Sequence, residues 1–496
     1  MSNPNQRASV RKLALDAVEP GEIPQEGASA QKVKDVKDLP NGISSKMLYN
    51  DIINIAWPSM IEMILTQLTS MADLMMVGRL GPWALNSVGL STQPKFMVMT
   101  LFMAMNVGAT AMVARYKGAG KPEMANKVLR QALLMTFVFA IVSSVPGYIF
   151  AEDLVLFMGS ADLGDAIAGG TVYFRIQCIG LFSVALTSTA TAALRGVGNS
   201  RTAMMYNLVA NVVNVIFNYL LIYGNLGFPR MEVAGASLAT IIGQSVAFFL
   251  AMSTLLRGKN YIKLRLRDGF KPDKEVMGSV IKIGLPALLE QAVMRVGMII
   301  YTKTVTSLGT IPYATHMACM NIQAMSFMIG QAIAVSATTL VGQSLGKRRP
   351  DMAQFYAGRT RRIGFGASLV LAAIFILLGR QIISLYVGND ADSMEIINLG
   401  GQIMMVVAII LPFQSSQFIL AGALRGAGDT RSVAMISFIT VLLVRPGFAI
   451  FAIFVLKMGL WGAWIALFLD QLLRSLLVLI RFNSGKWKTA IKDVRE

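Results

Sequence analysis

Apolar residues collect in long blocks interrupted by polar loops. Blocks at 132–150, 233–256, 363–379, 433–456 and 460–480 each approach the roughly 20 residues that an α-helix needs to cross the hydrocarbon of a bilayer. About twelve such blocks follow one another, which predicts an all-α integral membrane protein. A membrane β-barrel is excluded, because its lipid-facing strands would alternate apolar and polar residues, whereas these blocks are apolar on all sides.

Two blocks carry polar stripes. In the first, Glu62, Thr66, Thr69 and Asp73 recur at spacings of four, three and four, which places them on one helical face. In the fifth, Asn207, Asn211, Asn214 and Asn218 repeat that spacing. Such stripes avoid lipid, since an unpaired polar group in hydrocarbon is costly, so they are expected to face the bundle interior or a watered cavity. Holding helices together is the competing role, and the asparagines taken alone fit it equally well.

An internal repeat separates the two roles. Trp57-Pro58-Ser59-Met60-Ile61-Glu62 returns as Leu285-Pro286-Ala287-Leu288-Leu289-Glu290, an offset of 228 (286 minus 58), and Leu194-Arg195-Gly196 returns as Leu424-Arg425-Gly426 at 230 (424 minus 194). Near-constant spacing over this distance predicts two pseudo-symmetric six-helix lobes around one central site. The counterparts of Thr66, Thr69 and Asp73 are Met294, Gly297 and Tyr301, and those of the asparagines are Ser437, Val441, Val444 and Phe448. If the stripes only held a bundle together, the second bundle would need them too. A polar cavity in the first lobe alone reads as a site, with Glu62, Thr66, Thr69, Asn207 and Asn211 as candidate lining.

Asp73 is the strongest candidate, because a carboxylate inside a bundle has the chemistry of an ion carrier. Hydration near the outer end of its span is the alternative. Glu62 and Glu290 persist in both copies, which favours structural pairing. The second lobe holds further intramembrane charges, and opposite signs predict one neutralising network of Glu290, Arg295, Arg445, Asp470 and Arg474. His316 lacks a second ligand at metal spacing and is read as a hydrogen-bonded bundle residue, so no metal is expected.

The net charge of +18 would suit a nucleic-acid partner if it were clustered, but the basic residues fall in every second loop: Arg115, Lys117, Lys121 and Lys127, then Lys259 to Lys274, then Lys347 to Arg349. The alternate loops carry Glu152, Asp153, Asp162 and Asp165, or Asp390, Asp392 and Glu395. This positive-inside pattern predicts a multi-pass protein of the cell (plasma or inner) membrane with both termini cytoplasmic and no nucleic-acid partner. Residues 1–46 form an expected flexible tail, 47–256 the first lobe, 257–274 a basic linker, 275–482 the second lobe and 483–496 a second tail. Cys178 and Cys319 lie in spans of different copies and read as packing residues. Gly342 to Lys347 is one residue short of a phosphate-binding loop, and no soluble segment is long enough to hold an active site. The chain is therefore expected to be no enzyme and to use no cofactor, its energy coming from an ion gradient or from the substrate itself.

Pro58, Glu62, Asp73 and Gly78-Arg79-Leu80-Gly81, with Ala193-Leu194-Arg195-Gly196 and its copy Ala423-Leu424-Arg425-Gly426, resemble the multidrug and toxic compound extrusion (MATE) family from about Leu48 to Trp487. The likeness is closer to the DinF-like prokaryotic branch. It implies a proton- or sodium-linked carboxylate at Asp73, polar partners at Asn214, Asn218 and Thr240, and a hinge at Pro58. Some prokaryotic members have aspartate where Asn218 stands. Acidic residues that the sodium-coupled branch uses in the second lobe are replaced by Met294 and Gln414. The implied function is a monomeric antiporter exporting organic, mainly cationic and amphipathic, compounds in exchange for H+ or Na+. A lipid-linked precursor flippase is the alternative within the same superfamily, with Arg175 its one favourable residue, and a channel or receptor lies further off.

Overall fold

The computed structural model describes residues 43–159, 164–258, 260–385 and 391–490. The expected tail lies outside this range through residue 42, as do residues 491–496 and the loop residues Asp162, Lys259 and Asp390. Twelve helices among the described residues are long and apolar enough to cross a bilayer. In chain order they are α1 (Ser45–Gly78), α2 (Pro82–Gly118), α3 (Pro122–Ile149), α4 (Gly164–Gly196), α5 (Ser200–Tyr223), α6 (Glu232–Leu256), α7 (Lys274–Thr306), α8 (Thr310–Gly346), α9 (Pro350–Ser384), α10 (Ala391–Gly426), α11 (Thr430–Val455) and α12 (Gly459–Asn483).

Local chemistry fixes many ends. Proline occupies the first turn of α2, α3 and α9, where its missing N–H costs nothing. Asp273 caps α7, accepting from the N–H groups of Glu275 and Val276, each at 3.0 Å. The side chain of Asn199 caps α5 through the Thr202 N–H. The eleventh span is not one regular helix: residues Phe438–Val444 and Phe451–Val455 are π-helical, with a helical segment Arg445–Ile450 between them. Insertions of this kind are commonly found at functional or strained positions.

Pro58 lies buried inside α1 and removes one hydrogen bond from its interior. Around it, hydroxyls bond back to carbonyls four residues earlier: Ser59 to Ile55 at 3.2 Å, Thr66 to Glu62 at 2.8 Å, Thr69 to Leu65 at 2.9 Å and Ser70 to Thr66 at 3.1 Å. Such bonds compete with the helix ladder and favour bending. The first span is thus weakened along several turns rather than at the proline alone.

Helices α1–α6 and α7–α12 form two bundles, and the bundles touch mainly at the end that carries the basic loops. There α2 and α8 cross so closely that glycine is required on both. A Cβ on Gly118 would lie 1.9 Å from the Gln343 carbonyl oxygen, and one on Gly346 would lie 2.0 Å from that of Arg115. Gly118 and Gly346 are counterparts in the repeat, so the crossing is reciprocal. Polar contacts join the lobes nearby. Thr339 Oγ1 donates to the Arg195 carbonyl at 2.8 Å and Gln343 Nε2 to that of Gly196 at 2.9 Å. Tyr356 donates to Asp51 at 2.9 Å and Arg359 to Ser45 at 2.9 Å. The first two satisfy orphan carbonyls in the last turn of α4, a requirement of any helix end. Nearer the other end, Arg295 on α7 lies 5.1 Å from the ring of Phe96 on α2, and both side chains are exposed.

Candidate functional site

Helices α1 and α5 run in the same direction, and their polar stripes meet as a ladder. Asn207 Nδ2 donates to Glu62 Oε1 at 2.6 Å, Asn211 Nδ2 reaches Thr66 Oγ1 at 3.4 Å, and Asn218 Nδ2 donates to Asp73 Oδ1. Each rung joins residues 145 apart, the constant offset that two parallel helices in register must show. Asn214 completes the upper rung. With its amide turned to satisfy both ends, its nitrogen donates to Asp73 Oδ1 at 3.0 Å and its oxygen faces the Thr240 N at 3.1 Å. In the other orientation Asn214 Nδ2 donates to Thr240 Oγ1 at 3.3 Å. Asp73, Asn214, Asn218 and Thr240 therefore converge from α1, α5 and α6 on one point. The Asn218 Oδ1 is buried there without a partner, an acceptor still open.

One helical turn further toward the acidic end, an apolar layer covers this point: Val77, Ala84, Ile222, Val233 and Ala236 pack as one cluster. Val77 and Ile222 lie four residues beyond Asp73 and Asn218, and Ala236 lies four before Thr240 on a helix running the other way. Beyond the layer is a cavity of about 480 Å³, bordered by Trp83, Asp165 and Glu232. Asp73 is half-buried beneath the layer. Its position near the end of α1 therefore does not place it directly in solvent on that side.

Lys95 was not singled out by the stripes, yet it belongs to this neighbourhood. It follows Pro94 inside α2 and lies within electrostatic range of Asp73. Among the described residues its ammonium has no hydrogen-bond or ion-pair partner within contact distance. A lone lysine within an otherwise apolar block was the available signal. Tyr173 of α4 also lies within electrostatic range of Asp73.

Glu62 is held rather than offered. Arg195 Nη2 lies 2.9 Å from its Oε1, the atom that also accepts from Asn207, and Glu62 is buried. Glu290 repeats the arrangement with Arg425 Nη2 at 2.6 Å, and Ser437 donates to it at 3.3 Å. The two signature arginines thus have the same task, each locking the end of α4 or α10 to the glutamate of α1 or α7. The pairing explains why both glutamates survive in both copies. Thr66 and Thr69 spend their hydroxyl protons on their own helix.

The expected network of the second lobe divides. Asp470 is fully buried and accepts from Arg445 Nε at 3.0 Å, from Arg445 Nη2, and from Arg474 Nη2 at 2.7 Å on both oxygens. Arg474 also donates to Thr440 at 3.2 Å. Arg295 takes no part: it follows Glu290 by five residues, which on a helix turns it about 140° away, and it faces Phe96 of the other lobe instead. Glu290 is likewise separate, neutralised by Arg425. His316 packs edge-on between Tyr301 and Trp464, with ring centroids at 5.6 and 5.5 Å, and its buried Nδ1 has no partner. It is a bundle residue held by packing, not by the expected hydrogen bond. Arg175 lies 3.8 Å from Glu152 and 5.8 Å from the ring of Tyr148.

Among the described residues the second lobe keeps only the rung nearest the glutamate, Ser437 to Glu290, and the rest of the ladder is replaced. Gly297 replaces Thr69, and a Cβ there would lie 2.5 Å from the Val441 carbonyl oxygen. Tyr301 replaces Asp73 and donates to the Ala463 carbonyl at 2.9 Å. Where the first lobe has side-chain rungs, the second has backbone pressed on side chain.

A duplicated twelve-helix bundle with one amide-lined carboxylate cluster, in one lobe only, is the plan of a two-lobed membrane transporter. The MatE family model matches residues 58–220 and 286–451, two segments whose starts are separated by the same 228 residues as the repeat (286 minus 58), and the chain belongs to that family. Members of the family are transporters and not enzymes. The chain is 27% identical over 449 residues to the "Probable multidrug resistance protein NorM" of Thermotoga maritima, covering 90% of this chain and 94% of that protein. It is 26% identical over 400 residues to the "Multidrug resistance protein PmpM" of Pseudomonas aeruginosa, covering 79% and 81%. A solved structure described as the outward-facing conformation of a multidrug resistance MATE family transporter superposes with a TM-score of 0.81 at 23% identity, over 88% of this chain and 97% of that one.

Proposed function

We propose that the protein exports amphipathic organic compounds, organic cations foremost, in exchange for H+ or Na+ by alternating access, with Asp73 as the coupling carboxylate. The observation that carries this reading is the meeting of Asp73 with Asn214, Asn218 and Thr240 beneath an apolar layer, in one lobe of a duplicated bundle. An ionised Asp73 accepts from the amides of α5. A cation bound at Asp73, or a proton covalently attached to it, removes acceptor capacity from the top of the ladder and leaves Asn218 to find another partner.

The rung lost lies on a helix already softened by Pro58 and four back-bonded hydroxyls, so α1 is the element that yields. Its rearrangement changes the wall of the cleft between the lobes, which couples ion to cargo without direct contact between them. The closed end of that cleft carries the basic loops. By the positive-inside rule this end is cytoplasmic, so the conformation is outward-facing and both termini lie inside the cell. The Glu62–Arg195 and Glu290–Arg425 pairs brace each lobe as it moves, and a single copy contains every part the cycle needs.

Reconstitution into proteoliposomes tests the reading. With an imposed pH or sodium gradient and ethidium as probe, Asp73→Asn is expected to abolish gradient-driven transport while the protein remains folded and inserted. Undiminished transport by this variant ends the proposal.

A further inference from the structure

Besides the crossing of α2 with α8, α7 lies against α2 along a seam of its own. A Cβ on Gly284 would sit 2.7 Å from the Ala104 carbonyl oxygen, so the two backbones touch there. Arg295 follows Gly284 by eleven residues (295 minus 284), three turns with about 20° over, and so continues the same face of α7. At its level the contact is made by a full arginine side chain reaching the ring of Phe96, 5.1 Å from the centroid. Between the two levels the helices have parted and the cleft has opened.

Phe96 stands fourteen residues beyond Pro82 (96 minus 82), and Arg295 eleven residues before Thr306 (306 minus 295). They lie roughly 20 and 16 Å along their helices from the acidic end. Both are exposed at this depth, the ring by 42%. An exposed guanidinium so far inside a membrane faces water rather than lipid. Arg195, Arg425, Arg445 and Arg474 each lie against a carboxylate. Among the described residues Arg295 has no such partner, and its recorded contact is the ring.

The repeat shows that this pair is not needed for packing. The counterparts of Phe96 and Arg295 are Ala324 (96 plus 228) and Gln67 (295 minus 228), exposed residues of α8 and α1. Those helices form the matching seam, where Ile52 and Ile55 cluster with Leu340. If a seam required a ring and a cation, this one would carry them too.

We propose that the face of Phe96 is the docking point for the positive group of the cargo, and that Arg295 is a resident cation which cargo displaces. This deepens the reading of organic cations as cargo and rests on it. The face of an aromatic ring attracts a guanidinium and a quaternary ammonium alike, within about 6 Å of its centroid. The displaced guanidinium returns to water in the cleft. Arg295 thereby sets a threshold, because cargo must hold the ring more strongly than the resident does. For an exposed contact that threshold amounts to about two- to fivefold in affinity.

The test is binding of a fluorescent alkyltrimethylammonium probe to the purified full-length protein in detergent, compared with its neutral isostere bearing a tert-butyl group. Arg295→Met is expected to bind the cation about two- to fivefold more tightly than wild type, and Arg295→Lys to stay near wild type. Phe96→Leu is expected to weaken binding and to lower the preference for the cation over the isostere, while Phe96→Trp keeps both. On the Phe96→Leu background the gain from Arg295→Met disappears, since no ring remains to contest. Phe96→Met serves if the leucine variant fails to purify as a single species. An equal gain with and without the ring reveals plain charge repulsion and overturns the inference, as does no gain at all. So does a cation preference indifferent to Phe96; in each of these cases the organic-cation reading survives. Absence of saturable binding by wild type and every folded variant overturns both together.

Discussion

Closure at the basic end depends on side chains of one lobe satisfying backbone of the other, and its strength can be worked out. Thr339 and Gln343 of α8 cap the carbonyls of Arg195 and Gly196 at 2.8 and 2.9 Å. A hydrogen bond of this kind contributes about 1 kcal/mol net, and a carbonyl that regains water when the lobes part sits at the lower end of the range. Replacing both residues together, Thr339→Val with Gln343→Leu, keeps shape and removes both donors. The closed arrangement then loses about 2 kcal/mol, roughly a thirtyfold shift toward the alternative. Spin labels on cysteines at the exposed positions Lys121 and Lys347, one on each lobe, with Cys178 and Cys319 replaced, report the separation by pulsed magnetic resonance. The double substitution is expected to add a longer-distance population that Thr339→Ser alone does not. An unchanged distance distribution refutes the reasoning and assigns closure to the glycine crossing of α2 and α8, with the contacts of α9 to α1.

Further outcomes follow from the intramembrane charges and the helix caps. Asp470→Asn leaves Arg445 and Arg474 facing each other without a full counter-charge, and is expected to cost about 3 to 5 kcal/mol, seen as a lowered unfolding temperature in detergent; Arg295→Met, which breaks no ion pair, should shift it by less than about 1 kcal/mol. Asp273 lies outside the spans, and Lys127 at 2.5 Å together with two backbone N–H groups holds its carboxyl below the usual carboxylate range. Its folded pKa is depressed, so its contribution is complete above the ordinary value and is lost as pH falls through the lowered one. Asp273→Ala should therefore weaken the start of α7 by about 1 kcal/mol at neutral pH and flatten the acid limb of a pH–stability curve.

The hydrophobic blocks made the twelve spans legible, because a span is a property of local composition. The repeat made the two lobes legible, since residues at matched offsets must serve matched positions. The stripes were legible as inward-facing, but not their meeting: three of the four asparagines find partners on α1 at one constant offset, which the fold supplies by setting α1 and α5 parallel and in register. What the sequence concealed was direction. Pairing Arg295 with Glu290 by sign ignored that five residues turn a helix away from its starting face. The true partner of Glu290 was present in plain view as Arg425, but a motif at a helix end reads as a turn signal until the fold brings α7 and α10 together. Lys95 escaped for a similar reason, having no periodic companions on its own helix. A stripe announces itself; a single charge opposite a single charge on another element does not.

Gly297 sets a limit on how such a molecule can be re-engineered. Restoring the missing carboxylate in the second half, by writing aspartate at Tyr301 and threonine at Gly297, would not create a twin ion seat. The new side chain at 297 would meet the main chain of Val441, and the buried phenol at 301 already anchors α12. A mirror-image duplicate would first need α7 and α11 moved apart at this point before any ion found room.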